Sequence, residues 1–227
     1  MKAIPVLLMG VLLTVTATAN ADTVTYSWED GVGTILGYFG NVVDPTNVTG
    51  AQTGKAGSEP DYTCPGAFDG ERYLHVAEEP HSGTPQAYVA FVTDLTDGDV
   101  VDASFAGFDL TEGASPSLRI WAHYATSDDI DSYKGSAGGN DTYTDGLGWS
   151  TVAHSWTFDS DGGDRDALVI EARLYSTPSS GDYRTDFWID DLSVTAPAGA
   201  SILVAPEPVS MVMLLVGMGV IVRGGRR

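Results

Sequence analysis

Between Asp22 and Ala196 apolar residues alternate with polar ones in short runs, and no run holds a helical period for three turns. A period of two is the signature of a half-buried strand, so the pattern predicts an all-β domain. Eight strands follow: Thr23–Trp28, Arg72–Ala77, Ala87–Thr93, Val100–Phe108, Ser117–Ala125, Ser150–Phe158, Ala167–Tyr175 and Thr185–Thr195. Turn-forming clusters separate them, among them Thr96-Asp97-Gly98-Asp99 and the stretch from Asp159 to Asp166. The loop-rich segment from Asn41 to Gly70 has room for one more weak strand. Eight or nine strands of this length fit a jelly-roll β-sandwich.

Two strands reveal which residues face inward. Leu118, Ile120, Ala122 and Tyr124 share one face, and Arg119, Trp121 and His123 share the other. Leu168, Ile170, Ala172 and Leu174 likewise oppose Val169, Glu171, Arg173 and Tyr175. One face of each strand is core. The other joins aromatic rings to charged and imidazole groups, the combination that stacks on a sugar ring and reads its hydroxyls. Arg119, Trp121, His123, Glu171, Arg173 and Tyr175 are therefore candidate glycan-binding residues centred on Trp121. The competing reading is that these rings only pack. Tyr133, Tyr143 and Trp149, in or beside a Gly-rich loop, are candidates for a rim. Glycoside hydrolysis needs two carboxylates about 5–9 Å apart. Glu29, Glu112 and Glu171 stand isolated in sequence, so no catalytic residue is assigned.

Both ends depart from the alternating pattern. Lys2, the apolar run Ile4–Val15 and Ala19-Asn20-Ala21 read as a secretory signal peptide over residues 1–21. At the other end Pro206-Glu207-Pro208 precedes an uncharged run, Val209–Val222, and then Arg223, Arg226 and Arg227. That run makes a helix of roughly 21 Å, short for a hydrocarbon core of about 30 Å. Arginines at its end can snorkel to the interface, and they stay on the cytoplasmic side. The expected organisation is a signal peptide (1–21), a β-sandwich (22–196), a linker (197–205) and a membrane-spanning tail (206–227). Of 11 Lys and Arg, Lys2 and three tail arginines fall in the terminal segments, leaving 7 against 31 Asp and Glu, or −24. Such a surface repels nucleic acid. A single cysteine, Cys64, means that no internal disulfide forms, so the core must hold itself together.

The tail resembles the PEP-CTERM sorting signal, through Pro206, Glu207, Pro208, the apolar run and the terminal arginines Arg223, Arg226 and Arg227. That resemblance implies export by the Sec machinery, an inner-membrane intermediate, processing by an exosortase, and delivery to the cell surface or the extracellular matrix. The middle is similar to carbohydrate-binding modules and other galactose-binding-like domains. The residues that carry this are Trp28-Glu29-Asp30-Gly31 near the start and Ile189-Asp190-Asp191-Leu192-Ser193-Val194 at the end. It implies that these two strands lie together and hold a structural calcium through Glu29 and Asp190 or Asp191, since hard oxygen ligands suit Ca²⁺. Together these readings imply an exported, non-enzymatic protein associated with exopolysaccharide. The alternative is a carbohydrate-binding module acting through the Trp121 face, and a weaker one is a polysaccharide hydrolase or lyase.

Overall fold

The computed structural model describes residues 21–31, 35–39, 46–49, 53–54, 62–63, 66–78, 84–109, 117–139, 148–175 and 185–204. Residues 1–20, Cys64, Tyr143 and the whole sorting motif (Pro206, Glu207, Pro208, Arg223, Arg226, Arg227) lie outside them. The strands in chain order are β1 (Asp22–Tyr26), β2 (Gly37–Phe39), β3 (Thr46–Thr49), β4 (Thr53–Gly54), β5 (Tyr62–Thr63), β6 (Arg72–Glu78) and β7 (Gln86–Thr93). They continue as β8 (Val100–Asp109), β9 (Ser117–Ala125), β10 (Ser136–Gly138), β11 (Ser150–Thr157), β12 (Ala167–Tyr175), β13 (Thr185–Ala196) and β14 (Ser201–Val204). Among the described residues there is no α-helix, only a 3-10 turn at Asp161–Gly163.

All eight expected strands form, with ends shifted by at most two residues. The short strands β2, β10 and β14 were not foreseen. β14 falls in the stretch expected to be a linker; its Ile202 and Val204 are half-buried against the core, so the sandwich reaches at least to Val204.

The strands build two antiparallel sheets. The first has the order β11-β8-β13-β6-β3 with β1 also on β13, and the second the order β10-β9-β12-β7-β14 with β2 also on β7. One apolar cluster draws on both sheets: Leu74, Phe105, Val152, Phe187 and Ile189 from the first meet Leu118, Ile120, Leu168, Ile170 and Leu174 from the second. This is the β-sandwich that the alternation predicted. Burying each large side chain contributes about 1.5–3 kcal/mol, which lets a chain without an internal disulfide hold its shape.

Each sheet contains a long strand whose edge is shared end to end by two partners. On β13, residues 185–189 pair with β6 and 192–196 pair with β1. A bulge between Asp190 and Ser193 marks the handover, with Asp191 at φ 49°. On β7, residues 86–88 pair with β2 and residues 90–93 pair with β14, and the register against β12 shifts at the same level.

Candidate functional site

The outward face of the second sheet is assembled row by row through strand register. One row runs Phe39 (β2), Gln86 (β7), Arg173 (β12), Arg119 (β9). The next runs Gly37, Tyr88, Glu171, Trp121. A third runs Phe91, Val169, His123, Ser136. Beyond it Tyr88, Phe91, Val169, Ala125 and Ala167 form a second small apolar cluster, lidded by Leu36 and Ile130. The rest of the face stays open as a cleft of about 580 Å³, lined by Phe39, Gln86, Tyr88, Trp121, His123, Asp131, Tyr133, Ser136, Glu171 and Arg173.

Four of the six expected glycan-binding residues, Trp121, His123, Glu171 and Arg173, therefore share one cleft. Arg119 lies opposite Arg173 in the register, half-buried, with its Nε donating to Ser117 Oγ at 3.4 Å. Tyr175 ends β12 opposite Ser117, and its side chain lies outside the described residues. Of the expected rim, Tyr133 lines the cleft. Trp149 instead packs on the first sheet, against Tyr73 and Phe108.

The floor is a buried, hydrogen-bonded histidine–carboxylate pair. His123 Nδ1 meets Glu171 Oε1 at 2.5 Å, with His123 3% and Glu171 1% exposed. Two tyrosines flank the imidazole, Tyr88 edge-on at 5.2 Å and Tyr133 tilted at 5.7 Å. Tyr88 sits so close to β2 that a Cβ on Gly37 would come within 2.7 Å of its ring. Its hydroxyl pKa is pushed up to about 12 by burial and then by the negative charges of Glu171 and Asp131, so it stays a neutral phenol. Trp121 is not a bare platform: the Arg173 guanidinium lies 4.8 Å from its ring centroid, and its Nε1 donates to Ser136 Oγ at 2.9 Å.

The Tyr133 wall is pinned in place. Tyr124 and the 134–135 backbone exchange hydrogen bonds of 2.9 and 2.8 Å, and Ser132 Oγ accepts from the Thr126 amide at 2.8 Å. Below it, Arg165 spans the Tyr124 ring at 3.7 Å and binds Asp159 at 3.2 Å, while Lys134 binds Asp164 at 3.2 Å. A rim fixed by the protein itself lowers the ordering cost of binding. Phe39, Gln86, Tyr88, Asp131 and Ser136 were missed in the sequence. For Tyr88 the signal was its position on an alternating strand; for the other four, spacing alone gave none.

The residues expected to hold calcium separate into different roles. Asp190 lies buried at the start of the β13 bulge, while Asp191 within it is exposed. Asp190, with no exposed surface, accepts amide bonds from Phe68, Asp69 and Asp191 at 2.9, 3.0 and 2.8 Å. Burial raises its carboxyl pKa to about 6 despite those bonds. Glu29 Oε1 accepts from the amides of Glu71 and Arg72 at 2.9 and 2.8 Å. Glu29 and Asp191 do line one pocket of about 240 Å³ with Asp69. Among the described residues, however, no three acidic, His or Cys side chains come together as a metal cluster. Through these bonds Asp190 and Glu29 act as acceptors that clamp the 66–72 loop to β13 and to the segment after β1.

No protein-family profile matches the chain, and no curated protein sequence matches it. Among solved structures it is similar to carbohydrate-binding β-sandwich domains. The CBM22-1 xylan-binding domain of Paenibacillus barcinonensis Xyn10C matches at 14% identity and a TM-score of 0.44, over 81% of this chain and 99% of that one. The C-terminal family 22 carbohydrate-binding module of Clostridium thermocellum Xyn10B matches at 17% identity and a TM-score of 0.36, over 75% and 97%. A carbohydrate-binding module of promiscuous specificity from the β-sandwich superfamily matches at 16% identity and a TM-score of 0.41, over 74% and 59%. The functional reading rests on the cleft itself.

Proposed function

We propose that this is an exported, non-enzymatic protein that binds a polysaccharide in the cleft of its second sheet. The observation that carries the reading is the cleft: about 580 Å³, walled by Phe39, Tyr88, Trp121 and Tyr133 and floored by a fixed His123–Glu171 pair. Apolar walls with a few fixed polar groups are what a sugar chain requires. Asp131 and Glu171 both line the cleft, but Glu171 is buried and committed to His123, which argues against two free carboxylates working on a glycosidic bond. Export and exosortase processing are supported by the terminal sequences alone, and on that reading the partner is matrix or surface polysaccharide.

Affinity electrophoresis in a panel of polysaccharides tests the binding. Retardation by at least one polysaccharide, weakened about tenfold or more in Trp121→Ala with the melting temperature nearly unchanged, is the expected result. Equal mobility in every gel would refute it.

A further inference from the structure

We propose that Glu171 sets the specificity of the cleft: its second carboxylate oxygen, Oε2, accepts a hydrogen bond from a free sugar hydroxyl, so the cleft takes neutral polysaccharides with unblocked hydroxyls and rejects their O-acetylated forms; this rests on the glycan-binding reading above. Glu171 is 1% exposed, and each of its two oxygens is an acceptor. Oε1 is taken by His123 Nδ1 at 2.5 Å. Oε2 is buried as well and has no hydrogen-bond partner among the described residues. Buried polar groups are nearly always paired, so an orphaned acceptor calls for a partner from outside the fold. Asp190 has the opposite arrangement. It is buried as deeply, and the amides of Phe68, Asp69 and Asp191 meet its two oxygens at 2.9, 3.0 and 2.8 Å. The acid that serves the fold is ringed by amides, whereas Glu171 is held on one side only.

The position of Glu171 suits a ligand hydroxyl. Strand register sets it between Tyr88 of β7 and Trp121 of β9, in the middle of the sheet face, and it lines the cleft. With Oε1 fixed by His123, the carboxylate is oriented before any ligand arrives. A pyranose laid against an aromatic wall carries several hydroxyls around its edge. Each can donate to a carboxylate in a short, charge-assisted bond. A sugar carboxylate or sulfate has no hydrogen to give and would meet the acidic groups of Glu171 and Asp131 at close range. Acetylation removes the one hydrogen that a hydroxyl could donate and leaves the buried oxygen unpaired. Sites built to bond a hydroxyl discriminate strongly against analogues that lack it.

Affinity electrophoresis in xylan, glucomannan, galactan and dextran, each before and after partial O-acetylation, tests this. The expected result is that a polymer which retards the protein binds about tenfold or more tightly in its free form than in its acetylated form. Added NaCl should change that preference little, because the hydroxyl is uncharged. Glu171→Gln keeps the shape of the side chain and an oxygen for His123. It should lower affinity for the free polymer about tenfold, change that for the acetylated one much less, and so shrink the preference. Trp121→Ala should instead weaken both forms by a similar factor. The comparison of free and acetylated polymers on the unmodified protein stands even if Glu171→Gln does not fold. Equal binding of the two forms, or an equal loss on both in folded Glu171→Gln, overturns the proposal and leaves the cleft a glycan site. Binding to no polysaccharide at all overturns the glycan reading with it.

Discussion

Among the described residues the sandwich contains two buried histidine–carboxylate pairs, one on the outward face of each sheet. His123 and Glu171 bridge β9 and β12, and His75 and Asp186 bridge β6 and β13. Both are diagonal cross-strand pairs: His123 lies opposite Val169 and His75 opposite Trp188, each two residues from the acid it binds. Their exposures are alike, between 1% and 4%. Their surroundings are not. The Trp188 ring stacks on His75 at 5.1 Å and 12°, and Phe108, Tyr73 and Trp149 continue the apolar layer. Tyr88 and Tyr133 meet His123 edge-on or tilted and leave a cleft between them. Burial and a charged partner do not make a site by themselves. The orientation of the neighbouring rings decides whether a pair serves the fold or faces a ligand.

The largest expected effect comes from breaking each pair. Asp186→Ala strips His75 of its carboxylate under an apolar roof and should cost about 3–5 kcal/mol, a melting-temperature fall on the order of 10 °C in calorimetry. Glu171→Ala should cost less, because water can reach His123 through the cleft, but should also weaken glycan binding. Equal losses of stability would erase the distinction between the two.

The flanking rings come next. Trp149→Ala removes part of the roof, with its 2.6 Å bond to the Gly66 carbonyl, and should cost about 2–4 kcal/mol without altering glycan affinity directly. Tyr133→Ala removes a ring that is 68% exposed; it should cost under about 1 kcal/mol while lowering affinity. Denaturant melts paired with affinity electrophoresis would show whether stability and binding separate in this way.

The smallest effect is a slope in pH. Asp190 shares its sheet face with Asp186, and its folded pKa of about 6 lies above the ordinary value of 3.8. The folded state therefore holds more protons than the unfolded chain between those values. Its contribution is fully present below about pH 4 and is lost as pH rises through about 6. Asp190→Asn should flatten stability across that window; an unchanged slope would place the titration elsewhere.

The sequence made the strands legible because alternation is written locally. Leu118, Ile120 and Ala122 against Arg119, Trp121 and His123 already separated core from cleft. The same alternation put Glu171 and Arg173 together on one face of their own strand. What it could not show was register. Phe39 and Gln86 join Arg173 only through the pairing of β2 with β7 and of β7 with β12, contacts between distant parts of the chain. The different settings of Asp190 and Asp191 were illegible for a related reason. A single bulge in β13, after Asp190, leaves Asp190 buried and Asp191 exposed, and nothing in the sequence marks it. Trp149, grouped in sequence with Tyr133, was carried by the fold to the opposite sheet.

The shared edges of β7 and β13 have a kinetic consequence. The first strand, β1, completes one sheet by zipping onto β13, some 170 residues away, as the Thr23–Thr195 hydroxyl contact records. The last, β14, completes the other by returning to β7. Neither sheet can close while the chain is still emerging, and contacts this distant are slow to form. Until Val204 is free, the Ala90–Thr93 edge of β7 lies bare, a template for any extended segment that arrives first.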